Sequence, residues 1–314
     1  MPDREIERIG IVGTGVIGAS WAAYFAARGY DVVATDPAEG AEARLRDHVG
    51  STWPALERMG LASGGSQDRI RFVADLEDCV AEADFVQENG PEREDVKRET
   101  YRRMDAAARP DVILATSSSG FMPSLFQGVC RHPERVLVGH PFNPPHLIPL
   151  VEVVGGEATS EEAIGRAMTF YELIGKKPIR IRKELLGHVA NRLQAALWRE
   201  AFHLVQVGAV TVAEVDAAIA HGPGLRWALM GPVLLSHLSG GAGGLRRLLD
   251  HLGPLQEAMW ADLGTPELDE DLKRLLIEGV DQEIAALDFP KTMAERDRLL
   301  VDLIVAKAHA MHLP

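Results

Sequence analysis

A doubly wound, mostly parallel α/β sheet followed by an all-helical domain is the architecture this sequence predicts, and three observations predict it. Short apolar strands alternate with helical runs in the first part of the chain. The first strand opens directly onto a glycine loop of Gly-x-Gly-x-x-Gly spacing. Beyond Leu186 only helical patterns remain. The boundaries that follow are residues 1–186 for the α/β domain and 187–314 for the helical one.

The first strand is Ile9 to Val12, followed by Gly13, Gly15 and Gly18 and then a helical run to Ala27. Gly13 suits the tight turn, Gly15 close approach of a pyrophosphate and Gly18 close helix packing, with Val16 and Ile17 of the same loop as further cofactor-binding candidates and the positive end of the helical run Ala19 to Ala27 facing the phosphates. A second strand, Asp31 to Thr35, ends in Asp36, 18 positions past Gly18, where an acidic side chain bonds the ribose hydroxyls of a dinucleotide. Pro37, Ala38 and Glu39 offer no cation for a 2′-phosphate, so NAD is favoured over NADP. A glycine turn with no ligand is the bland reading of the loop, and it leaves Asp36 unexplained.

Pro37 to Cys79 reads as a charged, largely helical insertion. Asp84 to Glu88 and Val112 to Thr116 are buried strands with a polar helix, Glu94 to Ala108, between them. Their carboxyl ends release two loops, Asn89 to Lys97 and Thr116 to Gly120. Val136 to Gly139 is another strand, so His140 sits at its carboxyl end, where open α/β sheets do chemistry. Three prolines in FNPPHLIP forbid a helix before Leu150 to Val154 resumes as extended chain. Two strands joined this way can bring Glu152 beside His140, as a general base with the carboxylate that fixes its tautomer. The bland alternative is a satisfied strand-end histidine and a solvated glutamate. Glu161 to Ile174 has helical spacing, and Pro178 to Ile181 reads as an edge strand, antiparallel to the rest. Helices from His188 to Val207 and from Val212 to Ala220 follow, the latter with a capping box of Thr211 and Glu214.

Composition narrows the class. Of 314 residues, 46% are hydrophobic and 25% charged, as in a globular protein with a full core. A net charge of −13 argues against nucleic acid or an anionic membrane as partner. No apolar run is long enough to span a membrane, and the amino end MPDREIERIG reads directly into a strand. Cys79 and Cys130 alone build neither a disulfide framework nor a zinc site. A cytoplasmic, metal-free chain is expected. An apolar face on the helical half too large for one chain implies a homodimer.

These residues resemble the 3-hydroxyacyl-CoA dehydrogenase superfamily along nearly the whole chain. The likeness is carried by the glycine loop, by Ser119 21 residues before His140, by HPFNP with Asn143 and Pro144, by Glu152 twelve residues after the histidine, and by Asn191 in GHVANRL. It implies that His140 is the base and Glu152 its orienter, and that Ser119 and Asn191 hold the substrate oxygen and the imidazole. It also implies that Glu92 and Lys97 lie near the nicotinamide ribose and Asn143 near the nicotinamide.

The segment GPGLRWALMGP, Gly222 to Pro232, looks like the lambda-crystallin, gulonate 3-dehydrogenase and carnitine dehydrogenase branch, whose substrates are small 3-hydroxy acids. There Arg226 could pair bidentately with a free carboxylate and Trp227 supply an apolar wall; the bland reading of Arg226 is a surface ion pair. WPALERMGL and HPFNP are similar to the carnitine enzymes, whereas His146 stands where the resemblance implies an aromatic residue, which speaks against a quaternary ammonium substrate. The expectation is therefore NAD-dependent, reversible oxidation of a small L-3-hydroxy acid, carnitine- or gulonate-like, to the 3-keto acid. The alternatives are a 3-hydroxyacyl-CoA dehydrogenase and a non-enzymatic crystallin-like protein. A serine hydrolase is excluded, because TSSSG is no nucleophile elbow and the Gly13 to Asp36 unit would have no use.

Overall fold

The computed structural model of the chain describes residues 6–313; the reading of the extreme amino end falls partly on residues outside that range. Two compact units divide the chain, the first ending at Arg192 and the second beginning at Leu193.

In the first unit, β1 (Arg8–Val12), α1 (Val16–Ala27), β2 (Asp31–Thr35), α2 (Ala41–Met59), β3 (Ile70–Phe72), α3 (Leu76–Ala81), β4 (Phe85–Glu88), α4 (Glu94–Ala107), β5 (Ile113–Thr116), β6 (Val136–Pro141), β7 (Leu150–Gly155), α5 (Glu161–Leu173) and β8 (Lys177–Ile181) follow one another. All eight strands join one sheet in the order β3-β2-β1-β4-β5-β6-β7-β8. The chain winds outward from β1 to β3 and then restarts at β4 on the other side of β1, so the crevice above β1 and β4 is the switch point where such sheets bind ligands.

Strands β1 to β6 run parallel, and β7 reverses against β6. The edge strand β8 lies parallel to β7, so it is antiparallel to the body of the sheet but not to its own neighbour. The stretch from Pro37 to Cys79 is largely helical, and it adds one short strand that the sequence reading lacked: β3 extends the sheet by pairing Ile70, Arg71 and Phe72 with Val32, Val33 and Ala34. Three residues alternating with arginines carry too little apolar pattern to read as a strand; the pairing with β2 and the Arg69–Asp31 and Arg71–Glu82 ion pairs supply what the pattern lacks.

Period-two alternation explains why both sheet faces are covered. Ile9, Ile11, Phe85, Ile113 and Ala115 point into a core shared with α1, α2 and α5, whereas Val12, Val86 and Leu114 meet Cys79, Val80, Tyr101 and Met104 from α3 and α4. Helix α1 is buried at every position from Gly18 to Ala27, as its largely apolar composition of alanines and aromatic residues requires. Phe25 of α1 stacks on Phe170 of α5 at 5.9 Å, and Phe170 lies tilted against Phe85 of β4 at 4.5 Å, tying α1 and α5 to the sheet.

Helix α6 (Ala190–Gln206) begins at the end of the first unit, and α7 (Val212–His221), α8 (Pro223–Trp227), α9 (Pro232–Ser239), α10 (Gly244–Asp262), α11 (Glu270–Ile284) and α12 (Phe289–Ala308) follow. The capping box of Thr211 and Glu214 is formed in both directions. Among the described residues of the second unit, the buried apolar side chains are Val205, Val212, Leu272 and Val301, whereas Trp198 is 50%, Trp260 62%, Ile277 61% and Phe289 59% exposed. No helix among the described residues is long and apolar enough to cross a membrane.

Candidate active site

The glycine loop lies between β1 and α1 at the switch point. Gly13 has φ 89°, and a Cβ there would stand 2.8 Å from the Asn89 carbonyl oxygen; a Cβ on Gly18 would stand 1.9 Å from the Gly13 oxygen. Both positions therefore exclude a side chain. A Cβ on Gly15 would meet nothing within 4 Å, so the space above it is open. Helix α1 has no side-chain cap, which leaves its first amides to an anion. Val16 is 63% exposed beside this opening, and Ile17 packs inward on the core. Asp36 lies at the end of β2, its Oδ2 accepting from the Thr14 amide at 2.7 Å and its Oδ1 from Ala38 at 2.9 Å. The carboxylate thus ties the glycine loop to β2. Open space, uncapped amides and a strand-end acid suit a dinucleotide's pyrophosphate and ribose.

At the end of β4, Lys97 departs from the expectation of direct contact with a ribose. Its ammonium is 1% exposed and is spent on Glu88 at 2.7 and 2.9 Å, on Thr116 Oγ1 and on the Gly90 carbonyl. A buried cation must be paired, and this one holds the turn after β4 rather than reaching out of it. Glu92, on that turn, accepts from Ser118 Oγ at 2.7 Å and from the Ser119 amide at 3.1 Å, joining the loops after β4 and β5. Ser119 is half-buried beside it.

Antiparallel pairing of β6 with β7 sets His140 directly opposite Glu152. Imidazole Nδ1 lies 2.8 Å from Glu152 Oε2, and Glu152 Oε1 accepts the amides of Val189 and Ala190 at 2.9 Å each. Burial pushes the Glu152 carboxyl up, but the bonds from His140, Ala190 and Val189 together hold it below 4.5. Ionised, it only accepts, so His140 donates from Nδ1, and in the neutral imidazole Nε2 then carries the lone pair. That is the geometry of a general base with its orienter. The carboxylate caps the start of α6, and Asn191 comes one residue after the second bonded amide, half-buried in the first turn.

Asn143 is exposed on the β6–β7 connection. His146, on the same connection, is 7% exposed, with Nδ1 3.3 Å from Ser20 Oγ and its ring edge-on to His48. Its ring is used in packing against α1 and α2, so the weight it carried against a quaternary ammonium substrate falls away. Arg226 and Trp227 lie exposed on α8 in the second unit. Among the described residues no group of His, Cys, Asp and Glu is arranged to hold a metal.

Comparison with known proteins bears directly on this site. The family description "3-hydroxyacyl-CoA dehydrogenase, NAD binding domain" matches residues 8–185, and that of the family's C-terminal domain matches 187–264. The chain belongs to the 3-hydroxyacyl-CoA dehydrogenase family. It is 49% identical to an L-carnitine dehydrogenase of Bacillus cereus over 97% of this chain and 93% of that one. It is also 49% identical to an L-carnitine dehydrogenase of Pseudomonas aeruginosa over 96% and 93%. Among solved structures, 5-formyl-3-hydroxy-2-methylpyridine 4-carboxylic acid 5-dehydrogenase, an NAD+ dependent dismutase, superposes with a TM-score of 0.84 at 30% identity, covering 97% of this chain and 99% of that one. The (S)-3-hydroxybutyryl-CoA dehydrogenase of Ralstonia eutropha gives 0.64 at 26% identity, over 81% and 88%. The protein is an NAD-dependent dehydrogenase acting on a CH–OH group.

Two residues of this dehydrogenase escaped the sequence. Gln87, fully buried in β4, donates to Ser117 Oγ at 2.8 Å and to the Gly139 carbonyl at 3.0 Å, and accepts from Tyr171 at 2.6 Å. It fixes the strand position immediately before His140. A polar residue inside an apolar strand was the available signal. His188 stands beside the His140 ring, and nothing in the run LGHVAN distinguishes it from a helix start.

Proposed function

We propose that this dehydrogenase oxidises a small L-3-hydroxy acid, L-carnitine first, to the 3-keto acid, with His140 as base. The observation that carries the chemistry is the His140–Glu152 pair at 2.8 Å, with the second carboxylate oxygen held by two amides. NAD, when bound, supplies the acceptor for the carbinol hydride. His140 Nε2 takes the hydroxyl proton, and Glu152 stabilises the imidazolium that results. Ser119 and Asn191 orient the substrate oxygen and the imidazole. Gly13, Gly15, Val16, Ile17, Gly18 and Asp36 hold the phosphates and adenosine ribose, and Glu92 and Asn143 border the nicotinamide end. Lys97 contributes by holding the turn that carries Glu92. The same groups serve the reverse reaction.

Substrate choice is supported by the 49% identity to L-carnitine dehydrogenases over nearly the full chain. A free carboxylate needs one well-aimed guanidinium, for which Arg226 is the candidate with Trp227 as the apolar wall, worth about 1.5–3 kcal/mol as a charged hydrogen bond. A coenzyme A thioester needs a cationic cradle, and the segment from Pro37 to Cys79 holds five arginines and no lysine against eight acidic residues. The test is NADH formation with L-carnitine, L-gulonate and 3-hydroxybutyryl-CoA. Turnover of L-carnitine, with Arg226→Met raising its KM about ten- to a hundredfold, supports the reading. Preference for the thioester with an unmoved KM in Arg226→Met overturns it, and no turnover of anything returns the crystallin-like alternative.

The homodimer belongs to the same proposal. Among the described residues of 193–314, four buried apolar side chains make a small core, and each large exposed one gains roughly 1.5–3 kcal/mol when fully covered. A second copy covering these helices is the economical solution. Sedimentation of a monomer at micromolar concentration overturns it.

A further inference from the structure

The turn from Leu185 to His188 leads into α6, and two unfavourable features meet at its last residue. His188 holds a left-handed backbone with φ 50°, strained for any residue with a Cβ. It is 0% exposed, and its Nδ1 has no hydrogen-bond partner. Folds retain such features where they serve geometry. Here three services are visible. The backbone turn, closed by the His188 amide on the Leu185 carbonyl at 2.9 Å, delivers the next two amides, Val189 and Ala190, to Glu152 Oε1. The imidazole Nε2 lies 3.0 Å from the Ser118 carbonyl, which accepts only, so the proton is on Nε2. The ring stands 5.1 Å from that of His140, tilted by 49°.

We propose that His188 is a positioning residue for the reaction, joining the Ser118–Ser119 loop, the His140 ring and the amide cage of Glu152 into one unit while remaining the neutral Nε2–H tautomer. Neutrality follows from the surroundings. Burial pushes its pKa down, outweighing the Ser118 carbonyl, Glu152 and Glu92, which favour the charged form, and a second cation beside the His140 imidazolium would be repelled. With Nε2–H bonded to the Ser118 carbonyl and the ring 0% exposed, His188 is placed to set the angle at which His140 meets the substrate proton.

The inference rests on the reading of His140 as base, and the experiment separates the two. His188→Phe keeps the ring against His140 and loses the Ser118 donor; His188→Gln restores a donor near the Nε2 position. His188→Phe is expected to lower kcat with L-carnitine about tenfold or more while the Kd for NAD stays within about twofold, and His188→Gln to recover most of the loss. Wild-type turnover by His188→Phe, or equal losses in both variants, overturns the proposal. Where a variant does not fold, imidazole nitrogen NMR of the wild-type protein decides, since an Nδ1–H or charged His188 at neutral pH overturns it. Retained turnover in His140→Gln would instead remove the base and leave the His188 tautomer standing as a separate observation.

Discussion

Glu152→Gln is the substitution that most directly interrogates the dyad, because it preserves shape while removing the negative charge and changing which atoms carry protons. In the wild type Oε2 accepts from His140 at 2.8 Å and Oε1 accepts two amides at 2.9 Å. A glutamine has one acceptor oxygen and one NH2 group. If the oxygen faces His140, the NH2 group meets the Val189 and Ala190 N–H groups and two bonds become repulsive contacts. The side chain therefore sets its oxygen on the amides and its NH2 on His140. Nδ1 must then accept, the proton moves to Nε2, and the base loses its lone pair. Inverting the tautomer of an orienter–base pair costs about 10²- to 10⁴-fold in turnover, roughly 3–5 kcal/mol of barrier.

NAD binding, which the proposal assigns to Gly15 and Asp36, is expected to stay within about threefold, and Tm to fall only a few degrees since both amides remain bonded. Stopped-flow NADH formation and protein fluorescence on NAD titration measure the two quantities. A kcat within threefold of wild type, or a loss confined to NAD affinity, would refute the reasoning. The pH dependence has a sign as well. Because the folded-state pKa of Glu152 is held below 4.5, its contribution to stability is present above the ordinary carboxylate range and disappears as pH falls through the lowered value. Acid unfolding of the wild type is thus expected to lose one protonation-linked component in Glu152→Gln.

Three further outcomes follow from the same geometry. Asp36→Ala removes the proposed ribose acceptor and the tie to Thr14, so the Kd for NAD is expected to rise about ten- to a hundredfold and its advantage over NADP to narrow; an unchanged NAD affinity in titration calorimetry contradicts this. Lys97→Met strands Glu88 at 1% exposure and is expected to destabilise by about 3–5 kcal/mol, with Glu88→Leu added in the same chain recovering part; scanning calorimetry showing equal Tm for wild type and Lys97→Met rejects it. Burial pushes the thiols of Cys79 and Cys130 up to about 12, so neither is expected to react with a disulfide reagent at about pH 8 until denaturant is added, and rapid labelling of the native protein counts against the packing described.

What the sequence determined by itself was local or periodic. Gly13, Gly15, Gly18 and Asp36 announce a dinucleotide turn because their requirements are met within one strand–turn–helix unit, and the alternating apolar strands announce a sheet covered on both faces. The twelve-residue interval from His140 to Glu152 was legible for the same reason, since prolines enforce the return and antiparallel pairing fixes who faces whom. Tertiary structure decided what depends on partners distant in sequence. Strand β3 exists because β2 offers it a ladder, and Lys97 is turned inward because Glu88 and Thr116 are waiting in the sheet. His146 is withdrawn against Ser20, 126 residues away. His188 reaches the site through a left-handed turn of which only Gly187 is signalled by residue type, and its bond to Ser118 spans 70 positions. Spacing encodes which residues one element carries; only the folded chain, where desolvation forces every buried charge and donor to find a partner, decides which of them turn inward to each other and which remain facing the ligand.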